Sequence, residues 1–343
     1  MGINILNKKP NFDDLNIKNK LLSGFKNLHI DSIPNLIFNG VKSSGKTTQI
    51  YGLLCSLFDN KVYNLKHNSV EIEKKSFRFR SSIYHLEIDC IELLNNERLF
   101  FSNYLKEYVE TRNIGLDIPK IIVMTNVEKL STQCFLFLRK IIENNYKSCR
   151  FLFETSKLCC IPESIVSRFY IIRVRPPTKD ELNRYIHCAL IEQKRKLSKT
   201  ILNKIINKEI YYHGYCHFFN IINGIDYYLV TNQIIQNQYY EFIDELMKII
   251  FIKNINMYQI IKIKSLLEKA FINCYDFNDI VQKINHLLSK KLFNQDDLLY
   301  KLNKKTIECD YALNHCTGKY FIHLENYIIQ LIILIHNLDI KEK

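Results

Sequence analysis

Residues 35–47 read NLIFNGVKSSGKT, a short apolar run that breaks into a glycine-containing loop and ends on Gly45-Lys46-Thr47. The segment that follows, Lys46 to Phe58, carries Ile50, Leu53, Leu54 and Leu57 at helical spacing, so the stretch predicts strand, loop and helix in succession. Residues 40–47 are a complete G-x-x-x-x-G-K-[ST] loop in the strand-to-helix context that gives this motif its meaning. Two glycines let backbone amides curl around phosphate oxygens, a lysine reaches the terminal phosphates, and the final hydroxyl is a ligand for Mg²⁺. Gly40, Val41, Lys42, Ser43, Ser44, Gly45, Lys46, Thr47 and Thr48 are therefore the expected binding residues for ATP or ADP, with Mg²⁺ on Thr47.

Working outward, two more buried-strand signals follow. Ile121-Ile122-Val123-Met124 comes after Pro119, and Cys149 to Phe153 comes after a helical stretch with Phe135, Leu138, Ile141 and Ile142 on one face. A further run, Tyr170-Ile171-Ile172, leads to Pro176-Pro177, which neither a helix nor a central strand can contain. Alternating strands and helices imply a parallel sheet with right-handed crossovers. Between the first helix and the second strand, residues 69–88 alternate in period two and predict an inserted hairpin. After the prolines, Thr178 to Glu181 matches a capping box, and from there the periodicity is helical almost to the end. The expected organisation is an α/β core over 1–175, a helical lid over 176–235 and an all-α domain over 236–343.

Composition agrees. The chain has 343 residues, 47% hydrophobic and 24% charged, with 21 Phe and 21 Tyr, which excludes a disordered protein. Only 9 Gly and 6 Pro exclude collagenous and many-turned sandwich architectures. Eleven cysteines form no C-x-x-C pair and have no metal-spaced partners, so reduced thiols and no zinc are expected. The start has no apolar signal core and no segment reaches the ~20 apolar residues of a membrane span, so a soluble, intracellular protein with no membrane partner is expected. Of 48 basic and 35 acidic residues, 236–343 holds 14 and 13, leaving 34 and 22 in 1–235. A polyanion would be met by that first part.

Hydrolysis needs more than a loop. At the end of the next core strand one carboxylate must hold Mg²⁺ through water and a second must orient the attacking water. Thr125 and Asn126 stand there instead, and Glu128 lies two residues beyond the strand end, where an ordinary turn points it away from the phosphates. Binding with little or no cleavage is the expectation.

These features together resemble a known family. The loop at 40–47, the strand ending TNVEKL, the helix FLRKIIENN, the strand CRFLFET and the later Ser167-Arg168-Phe169 are similar to the small subunits of replication factor C, the AAA+ sliding-clamp loader, over about residues 4–230. Lys9-Pro10 resembles the end of the family's N-terminal box beside the adenine. The hairpin and Tyr84-His85-Leu86-Glu87 resemble the subunit whose own ATP site is incomplete, the third in human and fifth in yeast nomenclature, and Thr125-Asn126 fits it too.

The resemblance implies an AAA+ core, a lid and a collar, in a hetero-pentamer with other replication factor C subunits. It also implies contact with the PCNA clamp and with primer-template DNA in replication and repair, in a nucleus or equivalent compartment. It assigns Arg168, with Ser167, as an arginine finger reaching a neighbour's ATP, where fixed positive charge meets developing negative charge. It places the first sensor at Thr155 and the second at His217, whose imidazole is a poor substitute for a permanent cation. Arg98 resembles a DNA-facing arginine, and Lys74, Lys75, Arg78 and Arg80 on the hairpin form a second basic group, for which a solvated ribbon edge is the plainer account. Two other classes compete: an autonomous P-loop motor such as a helicase or packaging ATPase, and a scaffold that binds no nucleotide.

Overall fold

The computed structural model describes residues 33–93, 96–111, 119–192, 197–213, 218–231, 238–251, 256–292, 295–315 and 320–339. They fall into two compact units, one of residues 1–196 with 217–222 and one of 197–216 with 223–343. This division runs through the segment 176–235 expected as a lid.

The first unit is built on seven strands: β1 (Leu36–Asn39), β2 (Lys66–Ile72), β3 (Lys75–Ser81), β4 (His85–Asp89), β5 (Lys120–Thr125), β6 (Cys149–Thr155) and β7 (Tyr170–Arg173). Their order in the sheet is β2-β3-β4-β5-β6-β1-β7. β4, β5, β6, β1 and β7 run parallel, and β2 and β3 add an antiparallel edge. With the loop strand β1 held between β6 and β7, this is the parallel α/β core around a strand-loop-helix unit that the sequence implied.

A parallel sheet must be covered on both faces, and its strands feed two apolar layers alternately. Leu36, Phe38, Ile121, Val123, Leu152 and Ile172 pack with Ile50, Leu53 and Leu54 of α1 (Lys46–Leu57). Ile37, Leu86, Ile88, Ile122, Met124, Phe151 and Phe153 turn the other way. There they meet Phe100, Phe101 and Leu105 from the helical stretch 97–110 and Phe135, Leu138, Ile141 and Ile142 from α2 (Thr132–Asn144). In that stretch Phe100–Leu105 is a π-helix, and Phe100 lies 5.4 Å from Phe77 and 6.2 Å from Phe79, ring centre to ring centre. The edge hairpin is thus tied to the core by aromatic packing on one face.

The inserted hairpin needs correction. The hairpin proper spans β2 and β3, with a tight Glu73-Lys74 turn in which both residues have positive φ. His85 to Asp89 is a core strand, paired in parallel with β5 from His85↔Ile121 to Asp89↔Thr125. Its polar His85 and Glu87 are both buried, which gives a two-sided core strand the alternating look of a solvated ribbon.

The predicted helix start at Thr178 is formed. Glu181 accepts from the Thr178 amide at 2.9 Å and Arg175 clamps the same carboxylate from outside, holding its pKa down at about 2. Helix α3 (Lys179–Glu192) follows.

The described residues of the second unit are helical. They comprise α4 (Lys199–His213), most of α5 (Phe218–Thr231), α6 (Gln238–Ile250), α7 (Met257–Ile272), α8 (Phe277–Lys291), α9 (Asp296–His315) and α10 (Tyr320–Asp339). Ile243, Leu246, Leu267, Ile280, Ile284, Leu288, Leu324 and Ile328 form its core. Tyr212 and Tyr240 stack at 4.1 Å and reach Asp244 and Glu209 with their hydroxyls, which satisfies both phenols at the margin of that core. Among the described residues no helix is long and apolar enough to cross a membrane.

Candidate functional site

The loop at 40–47 is closed by its neighbours. The Gly40 amide donates to the Thr155 carbonyl at 3.2 Å, and a Cβ on Gly40 would stand 2.2 Å from the Val174 carbonyl oxygen, so only glycine fits between β6 and the end of β7. Gly45 turns the chain into α1 at φ +87°, in the left-handed region. The Ser44 hydroxyl is buried and has no protein partner, which leaves a polar atom in the loop for a ligand. Lys46 lies folded into the loop, 5% exposed, with its ammonium on the Val41 carbonyl at 3.0 Å.

A carboxylate sits against this loop. Glu154, one residue before the end of β6, accepts a 2.9 Å hydrogen bond from the Thr47 hydroxyl through Oε2 and holds the Lys46 ammonium at 3.6 Å through Oε1. The strand pattern puts it there: Leu152 faces α1, so Glu154 does too, opposite Phe38 on β1. Burial pushes its pKa up, against the pull of Lys46 and the Thr47 bond, and nearby Glu128 adds to the rise. Sequence reasoning missed Glu154 because an acid was sought at the end of β5 and only a sensor, Thr155, at the end of β6. The signal was its parity with Leu152.

Thr125 and Asn126 close β5 without a carboxylate. Thr125 shares the α1-facing side with Ile121 and Val123, two strands from β1, while the Asn126 amide is occupied with Asp89 Oδ1 at 3.0 Å. The turn after β5 is unusual, because Asn126 adopts φ +55°. The expectation for Glu128 is conditional on an ordinary turn, and this turn is not ordinary. Glu128 returns to the end of β6, where it accepts from the Thr155 hydroxyl at 2.9 Å and the Ser156 hydroxyl at 2.6 Å. Burial alone would raise the Glu128 pKa, but the Ser156 and Thr155 bonds hold it below the usual range. The Thr155 hydroxyl, expected as first sensor, is engaged by Glu128. His217 lies outside the described residues, as does Lys9-Pro10.

Arg168 follows the one-turn helix Glu163–Val166 at the surface of the first unit. Phe169 stacks on Phe153 at 4.4 Å and anchors the segment. The Arg168 guanidinium is left on the rim, ion-paired with Glu143 near the end of α2 and bonded to the Ser167 hydroxyl at 3.2 Å. Glu143 also takes Arg139 at 3.0 Å, and the two guanidiniums depress its pKa.

The basic hairpin group divides. Alternation puts Arg78 and Arg80 on one face and Lys75 on the other, with Phe77 and Phe79. Arg80 pairs with the buried Glu87 at 2.7 Å, and Glu87 in turn accepts from the Tyr51 hydroxyl at 2.6 Å, so Arg80 neutralises a core carboxylate. Lys75 bonds Asn96. Lys74, Arg78 and Arg98 are exposed.

The donor set on the loop, a threonine hydroxyl beside a carboxylate, is hard oxygen and suits Mg²⁺.

No family model matches the chain. Among curated proteins it is similar to replication factor C subunit 5 of rice, 27% identical over 188 residues that cover 50% of this chain and 51% of that protein. It is similar to replication factor C subunit 5 of Saccharomyces cerevisiae, 26% over 187 residues covering 50% and 53%. It is likewise similar to subunit 3 of Arabidopsis thaliana, 25% over 196 residues covering 51% and 52%. The chain spans about half the length of the curated relatives it matches. Among solved structures it is similar to domain III of the replication initiation protein DnaA from Thermotoga maritima (TM-score 0.45, 15% identity, 66% of this chain and 91% of that one). AMPPCP-bound DnaA from Aquifex aeolicus gives a TM-score of 0.49 at 11% identity, over 88% and 98%. Over about half its length, the chain is thus a sequence relative of the replication factor C small subunits.

Proposed function

We propose that the protein is a small subunit of a clamp loader of the replication factor C kind, which binds ATP or ADP at 40–47 and serves its neighbours more than itself. The observation that carries this is the pairing of a formed phosphate loop, closed on β6 and β7, with a β5 end that offers Thr125 and Asn126 where hydrolysis needs carboxylates. Gly45 and the loop amides would wrap the phosphates, Lys46 would move from the Val41 carbonyl onto the terminal phosphate, and Thr47 would hold Mg²⁺. Mg²⁺, when bound, neutralises charge between the last two phosphates. With no acid at Asn126 to orient water, bound ATP persists.

Arg168 is the proposed contribution to the neighbour's site. Its placement on the rim, with Phe169 anchored behind it, supports that reading, and an exposed ion pair such as that with Glu143 is weak enough to exchange for a phosphate. Residues 1–175, 176–235 and 236–343 are proposed as core, lid and collar, the collar joining the other subunits of a hetero-pentamer. Primer-template DNA would meet Lys74, Arg78 and Arg98 through its phosphates, PCNA would meet the core, and the work would take place in a nucleus or an equivalent replication site.

Two titrations test this. The purified chain is expected to bind a fluorescent ATP analogue and turn it over poorly, and Lys46→Ala is expected to weaken binding about 100-fold. In the reconstituted assembly, Arg168→Ala is expected to lower ATPase while leaving this chain's own nucleotide affinity unchanged. Brisk ATPase from the monomer would instead indicate an autonomous motor, and no binding at all would indicate a scaffold.

A further inference from the structure

We infer that Glu154 positions Mg²⁺ at this chain's nucleotide site, a role that the end of β5 has lost and the neighbouring strand β6 has taken over. The inference rests on the nucleotide-binding reading above and adds to it a residue from outside the motif. The geometry carries it. Glu154 bonds the Thr47 hydroxyl at 2.9 Å, the same oxygen that the loop motif offers to the metal, and its second oxygen lies 3.6 Å from Lys46. A carboxylate in that place fixes the rotamer of Thr47 and presents an anionic oxygen to a water on the metal, as hard octahedral coordination prefers.

The strand order makes the substitution possible. β6 is paired directly with β1, with Phe38 opposite Glu154, whereas β5 lies one strand further away. Glu154 therefore reaches the loop threonine directly, and the row Leu152, Glu154 runs along the side that faces α1. The arrangement restores metal positioning without restoring a base for water, since Glu128 remains on Thr155 and Ser156. The site would hold Mg²⁺ and nucleotide together and still cleave slowly.

Titration of the full chain with fluorescent ADP, in Mg²⁺ and separately in EDTA, tests this. Wild type is expected to bind about tenfold or more tighter with Mg²⁺. In Glu154→Gln the ratio should fall to near one, with affinity in EDTA kept or improved because Lys46 gains freedom. Glu154→Ala, which removes bulk as well as charge, should give the same loss, and melting curves identify a variant that fails to fold. An unchanged Mg²⁺ ratio in whichever variant folds overturns the inference and leaves nucleotide binding intact. Equal tightening with and without Mg²⁺ also overturns it, because the carboxylate would then be a counter-ion for Lys46 alone. Failure of wild type to bind in either buffer defeats the nucleotide-binding reading, and this inference with it.

Discussion

Two strand ends lie side by side in the first unit and differ in what they present. β5 closes on Thr125 and Asn126, with the asparagine drawn sideways to Asp89; β6 closes with a carboxylate on the loop threonine. The first occupies the place in sequence where an acid is looked for, and the second lies in space beside the loop threonine and lysine. A motif register describes a common route to a geometry, but the ligand responds only to the geometry.

The largest effect expected is outside both strand ends. If this chain acts mainly across an interface, Arg168→Ala should cut ATPase at the site it serves by roughly a thousandfold, as a lost arginine finger does; steady-state ATPase of the assembly measures it, and an unchanged rate breaks the division of labour. Next, Lys46→Ala removes the loop cation and leaves the buried Glu154 without its counter-charge, so nucleotide affinity should fall about 100-fold, with a lower melting temperature. The contrast between strand ends is sharpened by moving the acid back: Thr125→Asp in the Glu154→Gln background should recover about tenfold of the Mg²⁺-dependent affinity, read by the same nucleotide titration.

The smallest effect concerns β4, whose polar residues face α1 as Glu154 does but are structural. His85 is buried, bonded through Nδ1 to Ser82 at 2.7 Å, and faces Arg80, Glu87 and Tyr51; burial first, and then Arg80, lower its pKa to about 4. Its folded value lies below the ordinary 6.5, so the stability it gives is full above that pH and is lost as pH falls toward 4. At pH 5.5 the protein should have lost about 1 kcal/mol relative to pH 7 through this group, read as a drop in denaturation midpoint that is reduced in His85→Asn.

Much of the core was legible because it is local. Strand, loop and helix at 35–58 follow from an apolar run, two glycines and a 3.6-residue spacing, and the cap at Thr178 and Glu181 closes within four residues of chain. β4 does pair antiparallel with β3, but its place as a core strand beside β5 was not legible, because burying His85 and Glu87 requires partners, Ser82 with Tyr51 and Arg80, that pairing brings together. Arg80 looked like a surface cation for the same reason.

The sequence by itself determined that a phosphate loop opens a parallel α/β core, that helices follow it, and that no acid ends β5, since each is a matter of residue type and short-range period. Only the tertiary structure decided that β6 lies against β1, 107 residues from Thr47 to Glu154 along the chain, and that a left-handed Asn126 turns Glu128 back. Strand neighbours are chosen by the burial of a whole sheet between two apolar layers, and that choice, made far from the motif, places the carboxylate.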